Sequence, residues 1–78
     1  MAEVLAAYAA YKQADEDALL LRFRARATLG KSVTEERRNS GKTQNDVAGK
    51  LEVATEQVRR YERAYRDWMK QHPDEPLD

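Results

Sequence analysis

From Arg37 to Glu62, small and apolar side chains recur at three- and four-residue steps, interrupted by two short polar turns. Arg37-Arg38-Asn39-Ser40-Gly41-Lys42-Thr43-Gln44 leads into Asp46-Val47-Ala48, Leu51, Val53, Val58 and Tyr61-Glu62. The steps are helical, because a half-buried strand alternates every second residue instead. The segment is thereby confined to helix, tight turn, helix, tight turn, helix. No strand pattern occurs elsewhere, and neither a repeat nor a low-complexity linker is found. The expected fold class is all-α: a small helical bundle with a central helix-turn-helix preceded by a long N-terminal helix.

Seventy-eight residues suffice for one small domain with little room for a pocket. Charged residues make up 36% of the chain and aromatic residues 8%, so the core must come mostly from Val, Leu, Ala and a few Tyr. Such a core is marginal, and small scaffolds often add staples or a partner subunit. Cysteine is absent, which excludes disulfides and thiolate zinc sites. No basic leader precedes an apolar run and no stretch approaches membrane-spanning length, so a soluble cytoplasmic protein with no membrane partner is expected.

The zero net charge hides an asymmetry. Residues 1–21 hold one base and four acids (1 − 4 = −3), residues 22–71 thirteen bases and seven acids (13 − 7 = +6), and residues 72–78 three acids (−3). The basic charge coincides with the helix-turn-helix pattern, and charge distribution is an argument about partners where the total is not.

Four helical segments follow. Ala2 to about Leu29 is free of Gly and Pro, with Val4, Tyr8, Tyr11, Ala18, Leu21, Ala25 and Leu29 on one face. Asp15-Glu16-Asp17 is a solvated or capping run that could open a new helix. Gly30 fits the left-handed position past a helix end. Ser32-Val33-Thr34-Glu35 matches a capping box, opening a short helix to about Ser40 with Gly41 as its stop. Thr43 caps the next helix, to about Leu51, with Val47, Ala48 and Leu51 inward. The last helix starts near Ala54 or Thr55 and meets no breaker before Pro73. These limits divide the chain into residues 1–31, an N-terminal helix for packing or dimerisation; 32–71, the helix-turn-helix; and 72–78, a disordered tail.

Rotating the last helix by about 100° per residue separates two faces. Ala54, Val58, Tyr61, Tyr65 and Trp68 cluster on one, while Thr55, Glu56, Arg59, Arg60, Arg63 and Arg66 project from the other. Arginine suits a nucleic-acid surface because its planar fork grips guanine bidentately or clasps a phosphate. Thr55 and the amides at the helix start suit a phosphate. Lys42 and Gln44 are placed for the duplex backbone, which sets register, leaving the outward side chains to read bases.

The run Arg37-x-x-x-Gly41-x-Thr43-Gln44-x-x-Val47-Ala48-x-x-Leu51-x-Val53, with Val58 and Tyr61-Glu62, resembles the Xre/Cro/C1 phage-repressor family of helix-turn-helix domains. The resemblance spans about Val33 to Arg63. It implies a sequence-specific transcriptional regulator of double-stranded DNA whose last helix enters the major groove. By resemblance Gln44 touches the DNA backbone and Thr55, Glu56, Gln57, Arg59 and Arg60 face the groove. The expected DNA-binding set is thus Lys42, Thr43, Gln44, Thr55, Glu56, Gln57, Arg59, Arg60 and Arg63.

Three positions depart from the family pattern. Glu52 stands where the turn usually carries Gly, Ala54 where a Ser or Thr cap is usual, and Glu36 where an apolar residue is usual. Val53 to Arg63 is also similar to the recognition segment of MerR-type regulators. That family needs a β-hairpin wing, and Tyr65–Gln71 reads as helix instead.

Other chemistries lack support. Gly30-Lys31-Ser32 and Gly41-Lys42-Thr43 hint at a P-loop, but the Gly needed five residues earlier is Ala25 or Glu36, and no strand precedes. His72, the single histidine, reads as a solvated tail residue, so no metal site, cofactor or enzymatic acid–base pair is expected. Tyr8 and Tyr11 read as packing residues. The N-terminal helix can pack on Trp68 and Tyr65 of its own chain or on its counterpart in a homodimer, as helix-turn-helix proteins pair on palindromes at about 34 Å spacing. The competing function is a protein-interaction module, antitoxin-like or a phage adaptor, which Glu52, Glu56 and the acidic ends favour.

Overall fold

The computed structural model describes residues 1–14, 18–75 and 77. Among them the chain is all-α, with four helices and no strand: α1 (Ala2–Gln13), α2 (Leu19–Ser40), α3 (Gln44–Leu51) and α4 (Thr55–Gln71). The expected single N-terminal helix is divided, since α1 ends at Gln13 and α2 opens at Leu19. Asp15-Glu16-Asp17, the alternative break point, lies outside the described residues.

α2 corrects two expectations. It runs through Gly30 without stopping, and Ser32 opens no new helix, so the boundary drawn between residues 31 and 32 falls inside one helix. Gly30 is needed for close approach instead: a Cβ there would lie 1.9 Å from the backbone oxygen of Tyr61 on α4. The Thr28 and Thr34 hydroxyls lie 2.9 Å from the Arg24 and Gly30 carbonyls one turn back, so these polar side chains are served within the helix. Gly41 does end α2 as expected, at φ 69°, its N–H bonding the Arg37 carbonyl at 2.9 Å.

α2 is the central helix, packed along α4 and along α1, while α3 rests mainly on α4. The larger core joins Val4, Leu29, Val33, Val47, Ala48, Leu51, Val58 and Tyr61. Tyr11 meets the Tyr61 ring edge-on at 5.5 Å, and burial pushes the Tyr61 hydroxyl pKa up. A smaller core at the other end holds Ala27, Trp68 and Leu77, flanked by Phe23 and Tyr65. The tyrosines of α1 therefore close on Tyr61, whereas Trp68 is covered by α2 and by the tail.

That tail was expected to be disordered. At its described residues it folds back: His72 stacks on Trp68 at 4.2 Å, the Trp68 indole N–H donates to the Glu75 carbonyl at 3.3 Å, and Leu77 is buried. Lys31 Nζ holds the Leu77 carbonyl at 2.6 Å. The physical reason is Leu77 itself, the one large apolar residue of the tail, for which Trp68 and Ala27 supply a seat.

Leu21, expected inward, is 62% exposed beside Leu20 at 62% and Leu19 at 76%. Ala54, expected on the buried face of the last helix, is exposed as the residue preceding α4.

Gly30→Ala separates helix propensity from packing. Alanine gains about 1 kcal/mol in a helix interior, but overpacking costs about 1–3 kcal/mol, and here the obstacle is a backbone carbonyl that cannot swing aside. Urea denaturation is expected to show a net loss; an unchanged or raised midpoint would mean that α2 and α4 are not in this contact.

Candidate nucleic-acid interface

α3 is set by its first turn. The Thr43 hydroxyl accepts the Asp46 N–H at 3.1 Å while Asp46 Oδ2 accepts the Thr43 N–H at 3.0 Å, a reciprocal capping box. Those bonds, with the Thr43 backbone first, lower the Asp46 pKa. Val47, Ala48 and Leu51 are buried as expected. Glu52 then takes the left-handed conformation, φ 59° and ψ 42°, where the sequence anticipated a glycine-like demand. Ala54 is extended as a helix cap should be, but has no side chain to bond the first amides of α4. Thr55 Oγ1 bonds Asn45 Oδ1 at 2.9 Å across this turn.

Behind α3, Glu62 is buried in the apolar stripe of α4. Arg37 Nη1 reaches both its oxygens at 2.8 Å, Gln44 Nε2 donates at 2.6 Å, and the Thr34 hydroxyl lies 2.9 Å away. One carboxylate thus ties α2, α3 and α4. Gln44, expected at the DNA backbone, spends its amide N–H on this network. A signal for it existed in the sequence: Glu62 follows Val58 by one turn, so it shares Val58's inward face and must find buried donors.

Glu36 accepts the N-terminal amine of Met1 and stands 3.5 Å from Lys42 Nζ. The amine hydrogen bond is the chief cause that holds the Glu36 pKa at about 2, below the usual 4.5. Lys42 is therefore paired and half-buried.

The outward face of α4 carries Glu56, Arg59, Arg60, Arg63, Arg66 and Lys70, all exposed, while Val58, Tyr61, Glu62, Ala64 and Trp68 face the core. With Asp67 counted, the face holds five bases and two acids (5 − 2 = +3). Arg59 pairs with Glu56 at 3.2 Å and Arg63 with Asp67 at 3.9 Å, yet their side chains remain 63% and 77% exposed. Among the described residues, Arg60 and Arg66 make no ion pair or hydrogen bond through their side chains. Gln44, Glu56, Arg59, Arg60, Arg63 and Arg66 line one open groove of about 530 Å³. Five of the nine expected site residues thus meet there, and Arg66 joins them. The other four do not: Thr43 serves as a cap, Lys42 pairs with Glu36, Thr55 bonds Asn45, and Gln57 is half-buried.

No family model, curated protein or solved structure matches the chain. Among the described residues no cluster of His, Cys, Asp and Glu could hold a metal ion, and no helix is long and apolar enough to cross a membrane. What the face offers chemically is a row of guanidinium groups suited to phosphates or guanine edges.

The local geometry predicts two gains in stability. Glu52→Gly relieves a left-handed backbone that costs an L-residue roughly 1–2 kcal/mol, less the greater chain entropy of glycine. Ala54→Ser supplies a cap worth about 1 kcal/mol. Each is expected to raise the melting temperature by a few degrees in calorimetry, and a drop at either position contradicts the turn described here.

Glu36 also predicts a pH dependence. Its pKa is lower folded than unfolded, so its stabilisation is complete above about 4.5 and lost as pH falls toward about 2. Glu36→Gln is expected to lower stability at neutral pH and to flatten the acid limb of the stability profile across that window.

Proposed function

We propose that this chain is a sequence-specific double-stranded DNA-binding regulator of bacterial or phage type, acting without enzymatic chemistry in the cytoplasm on nucleoid DNA. In this reading α3, the turn at residues 52–54 and α4 form the helix-turn-helix, α4 enters the major groove, and two copies act together. The observation that carries it is the exposed arginine face of α4, with Arg60 and Arg66 unpaired among the described residues and a groove open beside them. A helix of this width fits the major groove, and its guanidinium groups match guanine O6/N7 and phosphate. Within this reading Arg59, Arg60, Arg63 and Arg66 carry more of the binding than Lys42, whose charge is shared with Glu36.

One observation favours the protein-interaction module instead. The Glu56–Arg59 and Arg63–Asp67 pairs give the face alternating signs, which suits a mixed-charge protein surface. Salt separates the two readings. Duplex binding through Z phosphates falls log-linearly with salt, with a slope of about −0.9Z, whereas a protein interface of opposite charges is screened without releasing a phosphate counterion atmosphere and falls less steeply.

Selection from random duplexes followed by titration is the direct test. Arg59→Ala and Arg60→Ala are each expected to cost about 1–3 kcal/mol if the side chain grips a base, and to relax specificity at that position. Equal affinity of the wild type and the double variant, measured at one salt concentration, removes the assignment.

A further inference from the structure

We infer that the cleft between α2 and α4 lined by Phe23, Arg26, Arg60, Arg63, Ala64 and Asp67 is a phosphate site, and that in a duplex complex it holds one backbone phosphate beside the groove that α4 enters. The first half stands on the cleft alone; the second rests on the reading of α4 as a duplex-binding face.

The cleft comes from the way the two helices lie together. Arg60, Ala64 and Asp67 recur at steps of four and three residues, so they share one stripe of α4, turned from the outward face toward α2. On α2, Phe23 and Arg26 stand beside the buried Ala27, which packs on Trp68. Phe23 makes a fixed wall, its ring edge-on to Trp68 at 5.2 Å. Arg60 and Arg63 border both this cleft and the larger groove. The basic surface of α4 therefore continues onto α2 at Arg26.

Three guanidinium groups meet one carboxylate here (3 − 1 = +2). Each of the three has donors to spare. Arg60 makes no hydrogen bond or ion pair through its side chain among the described residues. Arg63 meets Asp67 only at 3.9 Å and stays 77% exposed. Arg26 lies 3.4 Å from the Tyr11 hydroxyl, a long contact to a neutral acceptor that Arg22 also approaches, at 3.3 Å. That contact occupies one N–H of several and cancels no charge. Among the described residues no acid pairs with Arg26.

What fits such a cleft is small and anionic. At about 180 Å³ it falls below the roughly 300–1,000 Å³ of pockets that enclose drug-sized ligands. A carboxylate presents two oxygens in one plane, whereas a tetrahedral phosphate can meet guanidinium forks arriving from two helices. Phe23 and Ala64 keep water from part of the wall, and charges attract more strongly where water is excluded. In a duplex complex, phosphate contacts set position while base edges specify. A phosphate gripped by Arg26 lies off the axis of α4, so it fixes how that helix is rotated in the groove.

Inorganic phosphate, titrated at constant ionic strength against chloride, tests the cleft, with the arginine Nε–H signals followed by NMR. Those of Arg26, Arg60 and Arg63 are expected to shift together and to saturate in the millimolar range, while acetate leaves them in place. Arg26→Gln is expected to weaken phosphate about fivefold and Asp67→Asn to tighten it about fivefold, the effect of one charge about 4 Å away in water. Both variants are expected to keep their helical circular dichroism. The absence of a saturable shift, equal shifts with acetate, or variants that move the affinity in the same direction overturn the site. Random-sequence duplexes test the occupant. Arg26→Gln is expected to make the salt slope of duplex binding about 0.9 shallower, the loss of one phosphate, and to weaken all sequences alike. Duplex binding whose slope the variant leaves unchanged overturns the backbone assignment. A protein that binds phosphate in the cleft and no duplex upholds the cleft and defeats only the DNA reading.

Discussion

The contact between Gly30 and the Tyr61 carbonyl sets the distance on which the rest of this molecule depends. With no side chain between them, α2 and α4 come close enough for Ala27 to meet Trp68 on one side of the crossing and for Thr34 and Arg37 to reach Glu62 on the other. Both cores are organised around that approach. The arginine face depends on it in turn, because burying Val58, Tyr61, Glu62 and Trp68 leaves the opposite side of α4 no choice but solvent.

Around this axis the polar interior is concentrated in a single carboxylate. Breaking a buried ion pair costs more than the pair contributes, because the partner left behind has no water. Glu62 therefore acts less as glue than as a condition on register: α3 must bring Gln44, and α2 must bring Arg37, to within hydrogen-bond reach of one point. The short α3 has little apolar surface with which to fix its own orientation, and this demand supplies it.

Much of this was legible in the sequence wherever the signal was local. Gly41 ends one helix and Thr43 begins the next through bonds within a few residues, so their roles could be read from residue type and spacing. Glu52 and Ala54 were legible as departures, and each departure has its expected geometry. Gly30 and Ser32 misled because their local meaning, a helix stop and a capping box, was overridden by a partner helix thirty-one residues away at Tyr61. The tail was misjudged for a similar reason: one leucine outweighs its polar neighbours once Trp68 offers a seat. Of the arginine face, the identity and side were legible, but the diversion of Gln44, Lys42 and Thr55 into structural bonds required three-dimensional partners.

The seating of Leu77 over Trp68 has a practical corollary. Trp68 is the single tryptophan of the chain, and three of its four tyrosines, Tyr8, Tyr11 and Tyr61, belong to the other core. The indole ring, stacked on His72 and bonded to the Glu75 carbonyl, is thus a built-in optical reporter of whether the C-terminal strap is latched, read separately from the phenol signal of the opposite end.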